Sequence, residues 1–396
     1  MVFAISGILR RESLMKVVSC FPIKFISIYL LSFFMFIFIF GFTGCKTNPA
    51  PGSTFCNPLN LDYRISERSV PFRQCADPVI VFFKGYYFLF GTQSDGYWYS
   101  EDFGEWTHVK PVNMPSQHTA PSVFAMDDSL YFTAFDLDKI YSSKNPISGL
   151  WQEAGDITKY RDPAFFLDDD GKVYVYYGCS PDKGIRVVEV DPESGFKEIS
   201  DPVLCLESDI STRGWERRGD ECLGFYKPNG VFDIQPWVEG AWMTKHDDIY
   251  YLQYAAPGTC YKSYADGVFT SHSPKGPFVY EKYNPFCHKP SGFIRGAGHG
   301  NIFVDKNGNY WKTVTMVVSV AHKFERRVGV FPLGFRDDGQ IYTLTYLGDY
   351  PQYLPGLQPE PHKNNLVGWM LLSYKKKSDA SSSLDNHPAV DAFMKM

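Results

Sequence analysis

Short apolar runs of four to seven residues, alternating with polar positions and broken by turns, recur along most of the chain, and no stretch keeps a helical period. Asp77-Pro-Val-Ile-Val-Phe-Phe, Gly85-Tyr-Tyr-Phe-Leu-Phe and Gly96-Tyr-Trp-Tyr-Ser predict three strands, with a fourth near Trp106. Pro121-Ser-Val-Phe, Ser129-Leu-Tyr-Phe-Thr and Ile140-Tyr-Ser-Ser repeat the arrangement and end near Trp151. Third, fourth and fifth copies open at Asp162-Pro-Ala-Phe-Phe-Leu, Glu239-Gly-Ala-Trp-Met and His299-Gly-Asn-Ile-Phe-Val. Turn dipeptides such as Asp170-Gly171 and Asn307-Gly308 join the first two strands of most copies, a strong hairpin signal. Five repeats of a four-stranded unit predict an all-β chain: a five-bladed β-propeller with a short C-terminal extension. A β-sandwich with chance internal similarity is the competing architecture.

In a propeller the innermost strand of every blade starts at one mouth of the central channel. Residues far apart in sequence therefore meet there. The blade starts carry Asp77, Ser122 or its neighbours, Asp162, Glu239 and His299. Carboxylates crowded in a cleft cannot all ionise together, so at least one pKa rises. A protonated acid beside an ionised base is what glycoside hydrolysis requires. The inverting version sets them roughly 6.5–9.5 Å apart, leaving room for a water.

Three of these starts also carry a resemblance. Ala76-Asp77-Pro-Val-Ile, Arg161-Asp162-Pro-Ala-Phe-Phe and Val238-Glu239-Gly-Ala-Trp-Met-Thr-Lys resemble, in order, the catalytic signatures of glycoside hydrolase family 43. The likeness runs from about residue 57 to 353. It implies a five-bladed propeller and an inverting reaction, with Asp77 as general base, Glu239 as general acid and Asp162 tuning and orienting that acid. It also implies an arginine facing the sugar, for which Arg327 is favoured over Arg326, since strand alternation lets only one point inward. His299 resembles a histidine that helps some members hold a hydrated calcium or sodium ion in the channel; a histidine bonded to backbone is the alternative, and no cofactor is expected to be required. The implied substrate is an oligosaccharide or polysaccharide side chain, an α-L-arabinofuranoside or β-D-xyloside cleaved by an exo-glycosidase. A galactofuranosidase or galactosidase of the same family and a non-catalytic sugar-binding propeller are the competing readings. A retaining fructan-type hydrolase would need Asn before the first Asp-Pro, where this chain has Cys75-Ala76. Trp98, Trp237 and Trp242 could stack on a sugar or fill the spaces between blades. Residues 200–238 form the longest connection and are expected to shape the pocket.

Composition narrows the picture. Among 396 residues, 17% are aromatic, which excludes a disordered chain, and a net charge of −5 leaves no footprint for nucleic acid. Residues 1–44 combine Lys16 and Lys24 with an apolar run from Phe25 to Phe42, then Thr43-Gly44-Cys45. This reads as an export signal, and its end resembles a bacterial lipobox; a single transmembrane anchor is the alternative. The expectation is a monomer lipid-anchored at the bacterial cell envelope, with a tether over 45–56 and the propeller over 57–353. Removing residues 1–44 takes away four basic residues and one acidic one, leaving a net charge of −8. Seven cysteines then remain besides Cys45, with no zinc spacing, and Cys56–Cys75 is a plausible disulfide. Residues 354–378 read as linker and one more strand. Residues 379–396 resemble the opening of a discoidin-like carbohydrate-binding domain, which would make this a truncated reading frame.

Overall fold

A computed structural model describes residues 53–65, 72–318, 322–368 and 382. The signal and lipobox, the strand expected at Trp369–Tyr374 and nearly all of the discoidin-like stub lie outside the described residues. The five repeats are five antiparallel blades. Their inner strands are Ala76–Phe83, Pro121–Met126, Ala164–Leu167, Glu239–His246 and, for the fifth, Arg295–Gly298 followed by Ile302–Val304. Blades one and two each close with four strands, ending at Thr107–Val109 and Gln152–Asp156. Val203–Leu206 is the outer strand of blade three, pairing Leu206 with Ile185. A single parallel bridge, Ala265 to Ala297, links blades four and five into one sheet.

Five apolar clusters, one at each junction, hold the blades together. Phe90, Tyr97, Phe132 and Trp151 join blades one and two; Phe124, Phe165 and Val188 join two and three. Tyr176, Leu252 and Tyr254 join three and four, and Tyr251, Phe331 and Met316 join four and five. The ring closes where Tyr87 and Trp98 of blade one pack on Phe303 and Trp311 of blade five. Trp98 is thus wholly interior, and Trp242 packs at the junctions. Thr54–Phe55, expected in the tether, instead pair with Gln352–Tyr353 and tie the two ends of the propeller together. The expected linker is also packed: Leu354 and Asn365 are buried, and Asp305 accepts the Gly356 N–H at 2.8 Å. The Cys56–Cys75 disulfide does not form, because Cys56 is exposed while Cys75 faces the core; all seven described cysteines are free thiols.

One backbone device recurs at the mouth. Asp77, Ala120, Asp162, Gly240 and His299, one per blade, adopt φ of 52°, 45°, 48°, 62° and 47°. Non-glycine residues rarely enter this left-handed region, and they do so where surrounding contacts enforce it. Here the N–H groups are capped from the preceding blade. Thr315 Oγ1 accepts from Asp77 N and Thr92 Oγ1 from Ala120 N, both at 2.8 Å. Asp266 Oδ1 accepts from His299 N at 2.9 Å, and Asp162 Oδ2 from Gly240 N at 3.3 Å. Ser122, expected at the mouth, lies further along its strand, where its hydroxyl accepts the Phe165 N–H of blade three.

Candidate active site

The left-handed turn at each blade start brings Asp77, Asp162, Glu239 and His299 together. Asp77 and Asp162 occupy that position themselves, whereas Glu239 stands one residue ahead of Gly240. Glycine is required there twice over, for its φ and because a Cβ would meet His299 Cγ at 2.7 Å. The three carboxylates are only 5–7% exposed.

Asp77 Oδ2 accepts the Thr92 hydroxyl at 2.5 Å, while Oδ1 lies 3.3 Å from His299 Nδ1 and 3.9 Å from Arg326 Nη1. His299 Nδ1 also stands 3.9 Å from Asp162 Oδ2. Glu239 is held separately: the Tyr264 hydroxyl donates to Oε1 at 2.8 Å and the Trp237 indole N–H to Oε2 at 2.7 Å. The Cys179 thiol approaches Oε2 at 3.4 Å. Acid–base groups of Asp162, Cys179 and Glu239 lie within 4.8 Å of one another, and Asp77 stands outside that cluster.

Electrostatics divide the two aspartates. Burial alone would raise both. For Asp162 it wins: with the Glu239 and Asp77 charges adding to it, and His299 only partly offsetting, the carboxyl is pushed up to about 7. For Asp77 it loses to His299, Arg326 and the Thr92 and Thr315 hydroxyls, which leave the carboxyl below its usual range. Burial disfavours the His299 cation, but Asp77, Asp162, Glu239 and Asp266 outweigh it and raise its pKa. The site therefore sets a carboxylate held in its ionised form, Asp77, beside His299 on one side and a crowded carboxyl that retains its proton more readily, Asp162, on the other.

The arginine expectation is corrected. Arg326 points inward, donating to Thr259 Oγ1 at 2.7 Å and Gln74 Oε1 at 2.9 Å beside Asp77. Arg327, the next residue on the same strand, faces the other way, over the Tyr63 ring and paired with Glu325 at 2.9 Å. Calcium and sodium favour oxygen ligands. The ligand cluster that closes among the described residues includes a thiol and excludes His299. That cluster is not the hydrated-ion site expected at His299, whose Nδ1 faces Asp77 and Asp162 instead, and no step below passes through a metal.

Sequence reasoning missed Thr92, Thr315, Tyr264 and Cys179. The two threonines did leave a signal, since Thr92, Thr133 and Thr315 recur near the ends of second strands. Tyr264 left none, because it reaches Glu239 from just before blade four's third strand. A cleft lined by His246, Tyr310, Phe335 and Arg336 lies at the far end of blade four's inner strand, away from this mouth.

Residues 70–341 match the family model described as glycosyl hydrolases family 43. A β-xylosidase of Xylanibacter ruminicola is 30% identical over 132 residues, 30% of this chain and 39% of that protein. A xylosidase/arabinosidase of Butyrivibrio fibrisolvens is 30% identical over 181 residues, 43% of this chain and 32% of that protein. The matched segments thus span less than half the length of these curated relatives. The crystal structure of a thermostable family-43 glycoside hydrolase shares the fold with a TM-score of 0.58 at 22% identity, covering 78% of this chain and 99% of that one.

Proposed function

This chain belongs to glycosyl hydrolase family 43, and from that membership we propose that it is an inverting exo-glycosidase acting on α-L-arabinofuranosides or β-D-xylosides of plant-type polysaccharide side chains. The names of the two bacterial relatives support the sugar class. The single observation that carries the chemistry is the convergence of buried carboxylates at one mouth, Asp77 held by His299 and Arg326 and Glu239 held apart from it by Tyr264 and Trp237.

In this mechanism Asp77 is the base. His299 and Arg326 keep it ionised, and it accepts the proton of a water attacking the anomeric carbon. Glu239 delivers a proton to the departing glycosidic oxygen, oriented by Tyr264 and Trp237. Asp162, within 4.8 Å of that acid and itself pushed up to about 7, is a positioning and tuning group. Asp77 and Glu239 are linked through His299 and Asp162 rather than to each other, an arrangement that suits a water between base and sugar. Turnover needs no added metal, so dialysis against EDTA is expected to leave activity unchanged. The protein works as a monomer tethered through lipidated Cys45 at the bacterial envelope, and radiolabelled palmitate incorporation that disappears in Cys45→Ala tests the anchor.

The test of the acid is Glu239→Gln. General acid assistance is worth roughly 10²–10⁴ in rate, so turnover of glycosides with poor leaving groups should fall by that factor while substrate binding survives. Unchanged turnover would remove Glu239 from the role.

A further inference from the structure

Between the outer strand of blade three and Glu239 the chain makes an excursion that folds back on itself. Ser180 exchanges both backbone hydrogen bonds with Val238, and Arg217 bridges Pro236, so Trp237 is held from both sides. A small hairpin pairs Phe225 with Asp233 and Tyr226 with Phe232. It turns back over Arg218, whose carbonyl accepts the Gly224 N–H at 2.9 Å. Only glycine permits this return: Gly219 and Gly224 have φ of 114° and 115°, and a Cβ on Gly219 would stand 2.2 Å from the Gly224 carbonyl oxygen.

The fold-back builds a stack. The Arg218 guanidinium lies 4.2 Å from the Phe225 ring centroid and 5.1 Å from that of Trp237. No carboxylate among the described residues forms an ion pair with Arg218, so its charge is satisfied by ring faces. Trp237 in turn donates its indole N–H to Glu239 Oε2 at 2.7 Å. The ring that fixes one oxygen of the acid is thus itself fixed by a cation held against the hairpin.

We infer that Phe225 and Arg218 are positioning residues for Glu239, acting through Trp237 to aim its carboxyl at the glycosidic oxygen. The inference rests on the reading of Glu239 as the acid. A displaced acid matters only where the leaving group needs a proton. Phenyl glycosides need one, whereas 2,4-dinitrophenyl glycosides expel a stable phenolate without it.

Steady-state kinetics on these two glycosides of one sugar separate positioning from mere support of the fold. Misplacing a catalytic group by about 1 Å can cost as much as 10²-fold, so Phe225→Ala and Arg218→Met should each lower kcat/KM on the phenyl glycoside by roughly tenfold or more. On the dinitrophenyl glycoside the fall should stay below about threefold, because acid assistance is not called on. Phe225→Tyr and Arg218→Lys, which keep a ring face and a cation, should restore most of the loss. Equal falls on both substrates, or none on either, would overturn the inference. Glu239→Gln run alongside distinguishes the two failures: if it shows no leaving-group dependence, Glu239 is not the acid and the positioning role falls with it.

Discussion

Asp77 and Asp162 share a motif, a backbone conformation and nearly complete burial, yet their neighbours send their pKa values in opposite directions. The sign for activity follows. Asp77, depressed, remains an ionised base down to low pH, and its contribution to stability, present above the usual carboxylate value, is lost as pH falls through its native value. Asp162, whose carboxyl is pushed up to about 7, loses its proton as pH rises through that value, so kcat/KM should decline on that side. Asp162→Asn is expected to move the alkaline limb by roughly one unit or more while the acid limb stays, as a pH–rate profile on a phenyl glycoside would show. The arginines offer a second contrast. Hydrogen bonds to charged groups are worth about 1.5–3 kcal/mol, so Arg326→Ala should reduce kcat/KM by at least tenfold. Arg327→Ala, whose side chain faces Tyr63 and Glu325, should change it less than about twofold. The three carboxylates were legible because each opens a repeat in a motif. The choice between adjacent arginines was not: alternation says that one faces inward, but the phase is set by the pairing of Arg326 with Val317 and Arg327 with Met316, which no local pattern records.

Blades are legible for a different reason from the site they build. Period-2 alternation and Asp-Gly or Asn-Gly turns are local, so each strand announces itself. The left-handed residue at the mouth of each blade is not local. At Asp77, Ala120 and His299 it is imposed on residues that ordinarily avoid it, by caps that come from the preceding blade. The expected linker after Tyr353 misread for the same reason, since Pro-rich composition suggests mobility but Asp305 and Asn307 hold Gly356 in place. Thr92 does double duty, capping Ala120 and hydrogen-bonding Asp77. Thr92→Val keeps the shape, removes both bonds and leaves a buried N–H unpaired, which costs about 1–3 kcal/mol. Urea unfolding should register that loss as a lower midpoint at unchanged slope, and kcat should fall with it.

At the scale of the whole molecule, the aromatic excess in the composition resolves into five inter-blade clusters, and the ring is held shut by Thr54–Phe55 against Gln352–Tyr353. Phe55 packs on the cluster between blades five and one. Phe55 is half-buried against that cluster, so Phe55→Ala should lower the thermal midpoint modestly without changing the leaving-group dependence of the enzyme. Closure matters for the proposed chemistry because Asp77 comes from blade one, Asp162 from blade three and Glu239 from blade four; only a ring presents them to one sugar. On the proposed mechanism, with Asp77 activating a water and Glu239 as acid, the reaction is a single displacement. Proton NMR of the sugar first released from an aryl arabinofuranoside or xyloside tests this most directly. The account predicts that the initial product carries the anomeric configuration opposite to the substrate's and then mutarotates. Initial release of the retained anomer would contradict it.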